Sequence, residues 1–308
     1  MSTTVILQQM AVIAIMVSIG IFLFKKGTID SLTSKKISSI IVDVCNPALI
    51  LSSILSGNMT AGHKDLITAM IISVIFYAFL IILGFIFPLL IRAPKDKRRF
   101  YNMMNVYTNI GFIGIPLAKA ILPENAILYV IVMNVMYSLL FYTHGILVLS
   151  GGKEKLDLKK VLSPGTILAV AALVVFWFDL KLPPVFANSV SYIGNATVFL
   201  SMIMLGAMIA RSDIKKGFKD IRIWIYVAVR MTAVPAAAAL ILKALGFDPV
   251  TVLAVCLIAA MPVGNLPLIQ AEKTGEDTQI LSSAITVSTI MSLLTITALM
   301  SLFSSILL

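Results

Sequence analysis

Asn109, Gly111, Gly114 and Pro116 fall within one stretch, TNIGFIGIPLAKAIL, Thr108 to Leu122. An asparagine amide offers a donor and an acceptor without the cost of burying a charge. Glycine weakens a helix and allows close backbone approach, and proline removes an amide donor and clashes with the preceding turn. A second stretch, AAMPVGNLPLIQ, repeats the design with Pro262, Gly264, Asn265 and Pro267 inside six positions. The chemistry these residue types suit is reversible holding of a small ion or carboxylate. Glycine and proline also serve as packing notches in membrane helices. Two matching breaks, each with an asparagine, favour a binding site made of Asn109, Gly111, Gly114 and Pro116 on one side and Gly264, Asn265 and Pro267 on the other. Asn46 and Pro47 form a smaller break that flanks this site or merely notches packing.

Ionisable residues within apolar runs are few. Asp43, His144 and Arg230 are the candidates for ion coupling. A charge at a membrane helix centre costs about 2.5–3.5 kcal/mol on insertion scales, so each is expected to face the interior and pair. Asp43 and Arg230 lie at matching depth and could pair with each other. A structural or solvated role is the alternative for all three. Lys119 is expected to snorkel outward, and Glu272 and Lys273 to cap the rim of their span.

Catalytic and metal-binding constellations are missing from the sequence. It has no GxxxxGK[ST], no HExxH and no calcium-loop acid cluster. Its two histidines, His63 and His144, fall near opposite membrane faces, and Cys45 and Cys256 both sit in apolar runs. No enzyme activity, cofactor, metal site or disulfide framework is expected.

The elements that must position these residues follow from composition. The 308 residues are 59% hydrophobic and 12% charged, with mean hydropathy +1.03, against about 45–50% and 25% for soluble proteins. The expected class is an all-α membrane protein. At about 20 residues per crossing, spans are expected near 4–24, 37–56, 66–91, 100–122, 126–149, 162–179, 186–210, 221–245, 249–271 and 279–307. The first run is read as a retained span rather than a cleaved signal peptide. Loops after odd-numbered spans carry 19 of the 24 basic residues, and even loops carry only Lys64, Lys181 and Lys243. The charge of +10 is therefore loop charge facing the cytoplasm, not a nucleic-acid surface, and both termini face outward.

The segment IPLAKA, Ile115 to Ala120, returns 151 positions later as LPLIQA, Leu266 to Ala271. Each copy falls in the fourth span of its half, and with five spans per half the second enters from the opposite side. The expected plan is two inverted five-helix repeats, residues 1–155 and 156–308, with broken, crossed fourth and ninth helices.

Five patches then carry a family resemblance: DVCNPALILSSI, NIGFIGIPLAKA, SMIMLGAMIA, VRMTAVPAAAA and AAMPVGNLPLIQAEKTGEDTQILSSA. Together they resemble the auxin efflux carrier family, in its short prokaryotic malate or malonate permease-like form, over essentially the whole chain. The resemblance implies the ten-helix fold of bile acid sodium symporters and a small organic anion, a carboxylate or dicarboxylate, as substrate. It implies substrate contact by Asn109, seven residues before the crossover proline Pro116, and a second crossover proline at Pro267. Sodium-coupled relatives carry an acidic residue at the ninth-helix crossing, and residues 262–270 have none. Proton coupling or uniport is therefore expected over sodium coupling. The expected protein is a multi-pass secondary transporter of the plasma membrane working by alternating access, with a homodimer admitted. An anion channel or a substrate-sensing receptor without transport remains the other class.

Overall fold

The computed structural model describes residues 3–55, 61–152, 164–211 and 214–307. The helices are α1 (Thr3–Lys25), α2 (Ser31–Leu55), α3 (His63–Leu90), α4a (Arg98–Val106), α4b (Ile110–Ile121), α5 (Ala126–Leu149), α6 (Pro164–Trp177), α7 (Pro184–Arg211), α8 (Ile221–Ala244), α9a (Pro249–Ala259), α9b (Leu266–Lys273) and α10 (Gln279–Leu307). A short helix, Ile214–Lys219, precedes α8. Among the described residues, α1, α2, α3, α5, α7, α8 and α10 are long and apolar enough to cross a membrane. The boundary expected near residue 155 and the basic residues Lys153, Lys155, Lys159 and Lys160 lie outside the described residues, as does the Lys273 side chain.

Why these are membrane helices shows best on α3. Ile67, Ile71, Ile75, Phe79, Ile82 and Ile86 form an exposed apolar face, while Leu66, Ala69, Ser73, Tyr77, Leu80, Gly84 and Phe87 are buried on the opposite side. A helix apolar all round buries one face in protein and gives the other to lipid.

Four of the described helices contain a π turn, and proline explains three of them. These three span Ile41–Cys45, Ile110–Gly114 and Val229–Ala233. They precede Pro47, Pro116 and Pro235 by two residues. A proline ring clashes with the carbonyl four positions back, here that of Asp43, Phe112 and Met231, and the turn widens to relieve it. A fourth π turn, Phe141–Gly145, has no such proline. There Thr143 Oγ1 donates to Leu139 O at 2.7 Å, and Tyr107 Oη donates to Leu140 O at 2.9 Å. These hydroxyls take carbonyls that the regular helix would use.

Most helix packing falls into two groups, which touch each other where α1 packs on α10 and α6 on α5. In one, α7 packs along α1 and α2, and α6 packs on α2. In the other, α3 packs on α4a and α5, and α9a packs on α5, α8 and α10. At the α1–α7 contact a Cβ on Gly206 would lie 2.0 Å from Val17 O, and one on Gly20 would lie 2.2 Å from Ile203 O. Only glycine permits so close a crossing. A small apolar cluster of Ile29, Ile41, Ile203, Met204 and Ala207 in the first group takes in Phe112 of α4b.

Candidate functional site

The α4a–α4b and α9a–α9b breaks meet. Asn109 N donates to Pro262 O at 2.8 Å and Gly264 N donates to Tyr107 O at 2.9 Å, which pairs Thr108 with Val263 in antiparallel register. Val263 N donates to Ser288 Oγ of α10 at 3.1 Å. In unbroken helices Asn109 N and Val263 N would instead serve Asn105 O and Ala259 O. Arg230 takes both freed carbonyls: Nε donates to Asn105 O at 2.9 Å and Nη1 to Ala259 O at 2.5 Å. The expected Asp43–Arg230 pair is therefore not formed. Arg230 is fully buried between the ends of α4a and α9a, and Asp43 is exposed on α2. Both residues sit within π turns, Ile41–Cys45 and Val229–Ala233.

At the crossing lies a cavity of about 70 Å³. Asn46, Asn109, Gly111, Asn134 and Asn265 line it, with Thr108, Tyr137 and Ser138 beside them. Asn109 Oδ1 accepts from Phe112 N at 3.3 Å and so caps α4b. Its Nδ2, together with Asn46 Oδ1 and Asn265 Oδ1, has no hydrogen-bond partner among the described residues. Unpaired buried amides cost free energy unless a ligand or water meets them. The starts of α4b and α9b also border the cavity, so two positive helix ends face it.

Of the residues expected at the site, Asn46, Asn109, Gly111 and Asn265 line the cavity and Gly114, Pro116, Gly264 and Pro267 do not. A Cβ on Gly264 would stand 2.8 Å from the carbonyls of Tyr107 and Thr108, and one on Gly114 would stand 3.3 Å from Ile258 Cδ1. Gly264 lets the backbones cross, and Gly114 makes room for the Ile258 and Met261 side chains. Pro116 is buried at the second residue after the π turn of α4b, and Pro267 at the second residue of α9b. Asn134 and Ser138 were missed by the sequence reading; their signal was polar residues one turn apart in the apolar run VMNVMYSL.

The cavity shares Val42, Phe112, Tyr142, Asn265 and Leu266 with a vestibule of about 490 Å³. Lys35, Asp43, Arg211 and Glu272 line that vestibule on the face carrying the basic loops. Arg211 and Glu272 pair at 3.5 Å, so Glu272 joins α9b to α7 beyond the capping role expected of it. His144 lines neither space. Its Nδ1 lies 2.9 Å from Tyr107 Oη, and Nε2 is buried without a partner among the described residues. Because the Tyr107 hydroxyl donates to Leu140 O, the network assigns the proton to Nδ1. Lys119 Nζ donates to Asn195 Oδ1 at 3.1 Å. Among the described residues no His, Cys, Asp and Glu cluster could hold a metal ion.

Comparison with known proteins points to membrane transport. A protein of Methanocaldococcus jannaschii described as an uncharacterized transporter is 22% identical over 295 residues, covering 92% of this chain and 94% of that protein. The family described as membrane transport protein matches residues 5–160 and 153–300. The chain is thus a helical membrane transport protein, and it belongs to the auxin efflux carrier family.

Proposed function

We propose that this protein is a secondary transporter for a small organic anion and that the amide-lined cavity at the crossing is its substrate site. The observation that carries this reading is the convergence of Asn46, Asn109 and Asn265, each with an unpaired polar atom, on one cavity. Two helix N-termini add positive potential there without a fixed charge that would hold the anion too tightly to release. Asn109 Nδ2 is the donor best placed to meet a carboxylate oxygen. Asn46, Gly111 and Asn265 complete the lining, and Gly114, Pro116, Gly264 and Pro267 hold the breaks open.

In this reading α4a with α4b, and α9a with α9b, each complete one crossing, and α6 supplies a third. That gives ten crossings in two inverted five-helix repeats. The basic loops face the cytoplasm and both termini face outward, in the plasma membrane. The vestibule then opens the site to the cytoplasm, and alternating access requires the α1, α2, α6 and α7 group to move against the rest. Asp43 in the vestibule and His144 behind Tyr107 are the candidate proton carriers.

The test is counterflow of radiolabelled monocarboxylates, dicarboxylates and indole acids in proteoliposomes, with imposed proton or sodium gradients. Saturable, trans-stimulated flux is expected, lost in Asn109→Ala and Asn265→Ala variants that keep the wild-type thermal midpoint. Normal flux in both variants would remove the site from the crossing. Unsaturable current without trans-stimulation would make the protein a channel.

A further inference from the structure

Arg230 has a role that does not depend on which solute is carried. Its side chain is 0% exposed. Among the described residues no carboxylate pairs with it: the ion pairs there are Lys97 with Asp96 and Asp277, Arg99 with Glu276, and Arg211 with Glu272. A buried cation without an anion is costly unless other negative charge meets it. Here the compensation is the last turn of α4a and the last residue of α9a, whose carbonyls Asn105 O and Ala259 O receive Nε and Nη1. These are the negative ends of two half-helices. In broken-helix transporters such ends and unwound carbonyls are where a coupling cation from solution is held.

The aromatic residues around Arg230 leave that place to it. Tyr226 Oη donates to Met104 O at 2.8 Å, and Tyr77 Oη donates to Met133 O at 3.2 Å. Neither hydroxyl proton is available to the two freed carbonyls. Nη2 remains without a partner among the described residues. The planar fork spans two segments that come from opposite halves of the sequence, which a single ammonium would do less well.

We propose that the Arg230 guanidinium is a tethered cation, standing at the crossing where a sodium or potassium ion would otherwise bind, so that the crossing needs neither metal ion from solution. Arg230 acts as a positioning residue: it fixes α4a against α9a and does not touch the substrate cavity.

The experiment is thermal unfolding of the purified protein in detergent at constant ionic strength, which reads the crossing whether or not a substrate is known. The wild-type midpoint is expected to be the same in sodium, potassium and choline chloride. Arg230→Ala and Arg230→Met are expected to fall by several degrees, and Arg230→Lys to lie between. Millimolar guanidinium is expected to raise the Arg230→Ala midpoint and leave the wild type unmoved. A saturable rise of the wild-type midpoint in sodium over choline would overturn the proposal. So would an Arg230→Met midpoint equal to wild type, or an Arg230→Ala deficit that neither guanidinium nor sodium reduces. If the neutral variants do not fold, the wild-type cation series and Arg230→Lys decide alone: a sodium-insensitive wild type with a partly stable Lys variant supports the tethered cation, and any other pair of results refutes it.

Discussion

Replacing Gly264 by alanine tests the crossing directly. The new Cβ would meet Tyr107 O and Thr108 O at 2.8 Å and Thr108 C at 3.0 Å, all backbone atoms that cannot rotate away. Reaching an ordinary contact of 3.4 Å requires the two segments to open by about 0.6 Å. Gly264 N to Tyr107 O would then stretch from 2.9 Å to the outer limit of a hydrogen bond. The expected loss is about 1–3 kcal/mol, combining overpacking with one weakened buried bond. Asn265 is the next residue, and its displacement is expected to weaken substrate half-saturation by about tenfold, since sites tolerate errors of roughly 0.5 Å. Gly111→Ala is the internal control. Its Cβ would meet Asn46 Nδ2 at 2.9 Å, a side-chain amide that can turn aside. Weakened substrate binding with a near-wild-type midpoint is expected there. The assays are the thermal midpoint in detergent and counterflow half-saturation in proteoliposomes. A Gly264→Ala protein with wild-type values in both, or a Gly111→Ala protein less stable than it, would refute the backbone-contact argument.

Two further expectations concern the face with the basic loops. Arg99 donates to Leu149 O at 2.8 Å and to both Glu276 oxygens, at 3.0 and 2.5 Å, joining α4a to the end of α5 and to the α9b–α10 loop; Arg99→Ala should lower the midpoint by a few degrees, for a loss of about 1–2 kcal/mol, and an unchanged midpoint would make the pair decorative. Asp277 accepts from Lys97 Nζ at 2.6 Å and from Gln279 N at 3.1 Å, and these bonds hold its carboxyl below the ordinary 3.8. The pair therefore stabilises the fold above that unfolded value and is lost as pH falls through the lower folded one, so Asp277→Asn should flatten the midpoint-against-pH curve below the ordinary 3.8; parallel curves would refute it.

The helices of this chain were legible because length and apolarity are one-dimensional signals. The expected spans 66–91, 186–210 and 279–307 lie within a few residues of α3, α7 and α10. The two breaks were also legible, since Gly, Asn and Pro announce freed backbone. What faces what was not. Each π turn adds a residue and rotates everything beyond it by roughly 100° relative to the regular helix. Asp43 and Arg230 both sit in π turns, so matching their depth could not match their direction. The carbonyls that hold Arg230 carry no signature in the sequence, because any residue supplies one. Asn134 was overlooked for the opposite reason: with no Gly or Pro beside it, a lone amide in VMNVMYSL reads as an incidental polar residue.

The pairing of Thr108 with Val263 joins positions 155 residues apart, and this orders the protein's biogenesis. When α4a and α4b leave the ribosome, Asn105 O, Tyr107 O and Asn109 N have no partners, because Arg230, Gly264 and Pro262 are not yet made. Each such group costs several kcal/mol in lipid. The fourth helix therefore cannot settle in hydrocarbon on its own, and must stay hydrated or within the insertion machinery until α8 and α9a arrive. Chains halted before residue 230 should stay bound to that machinery, and the crossing should be the last part of the molecule to become dry.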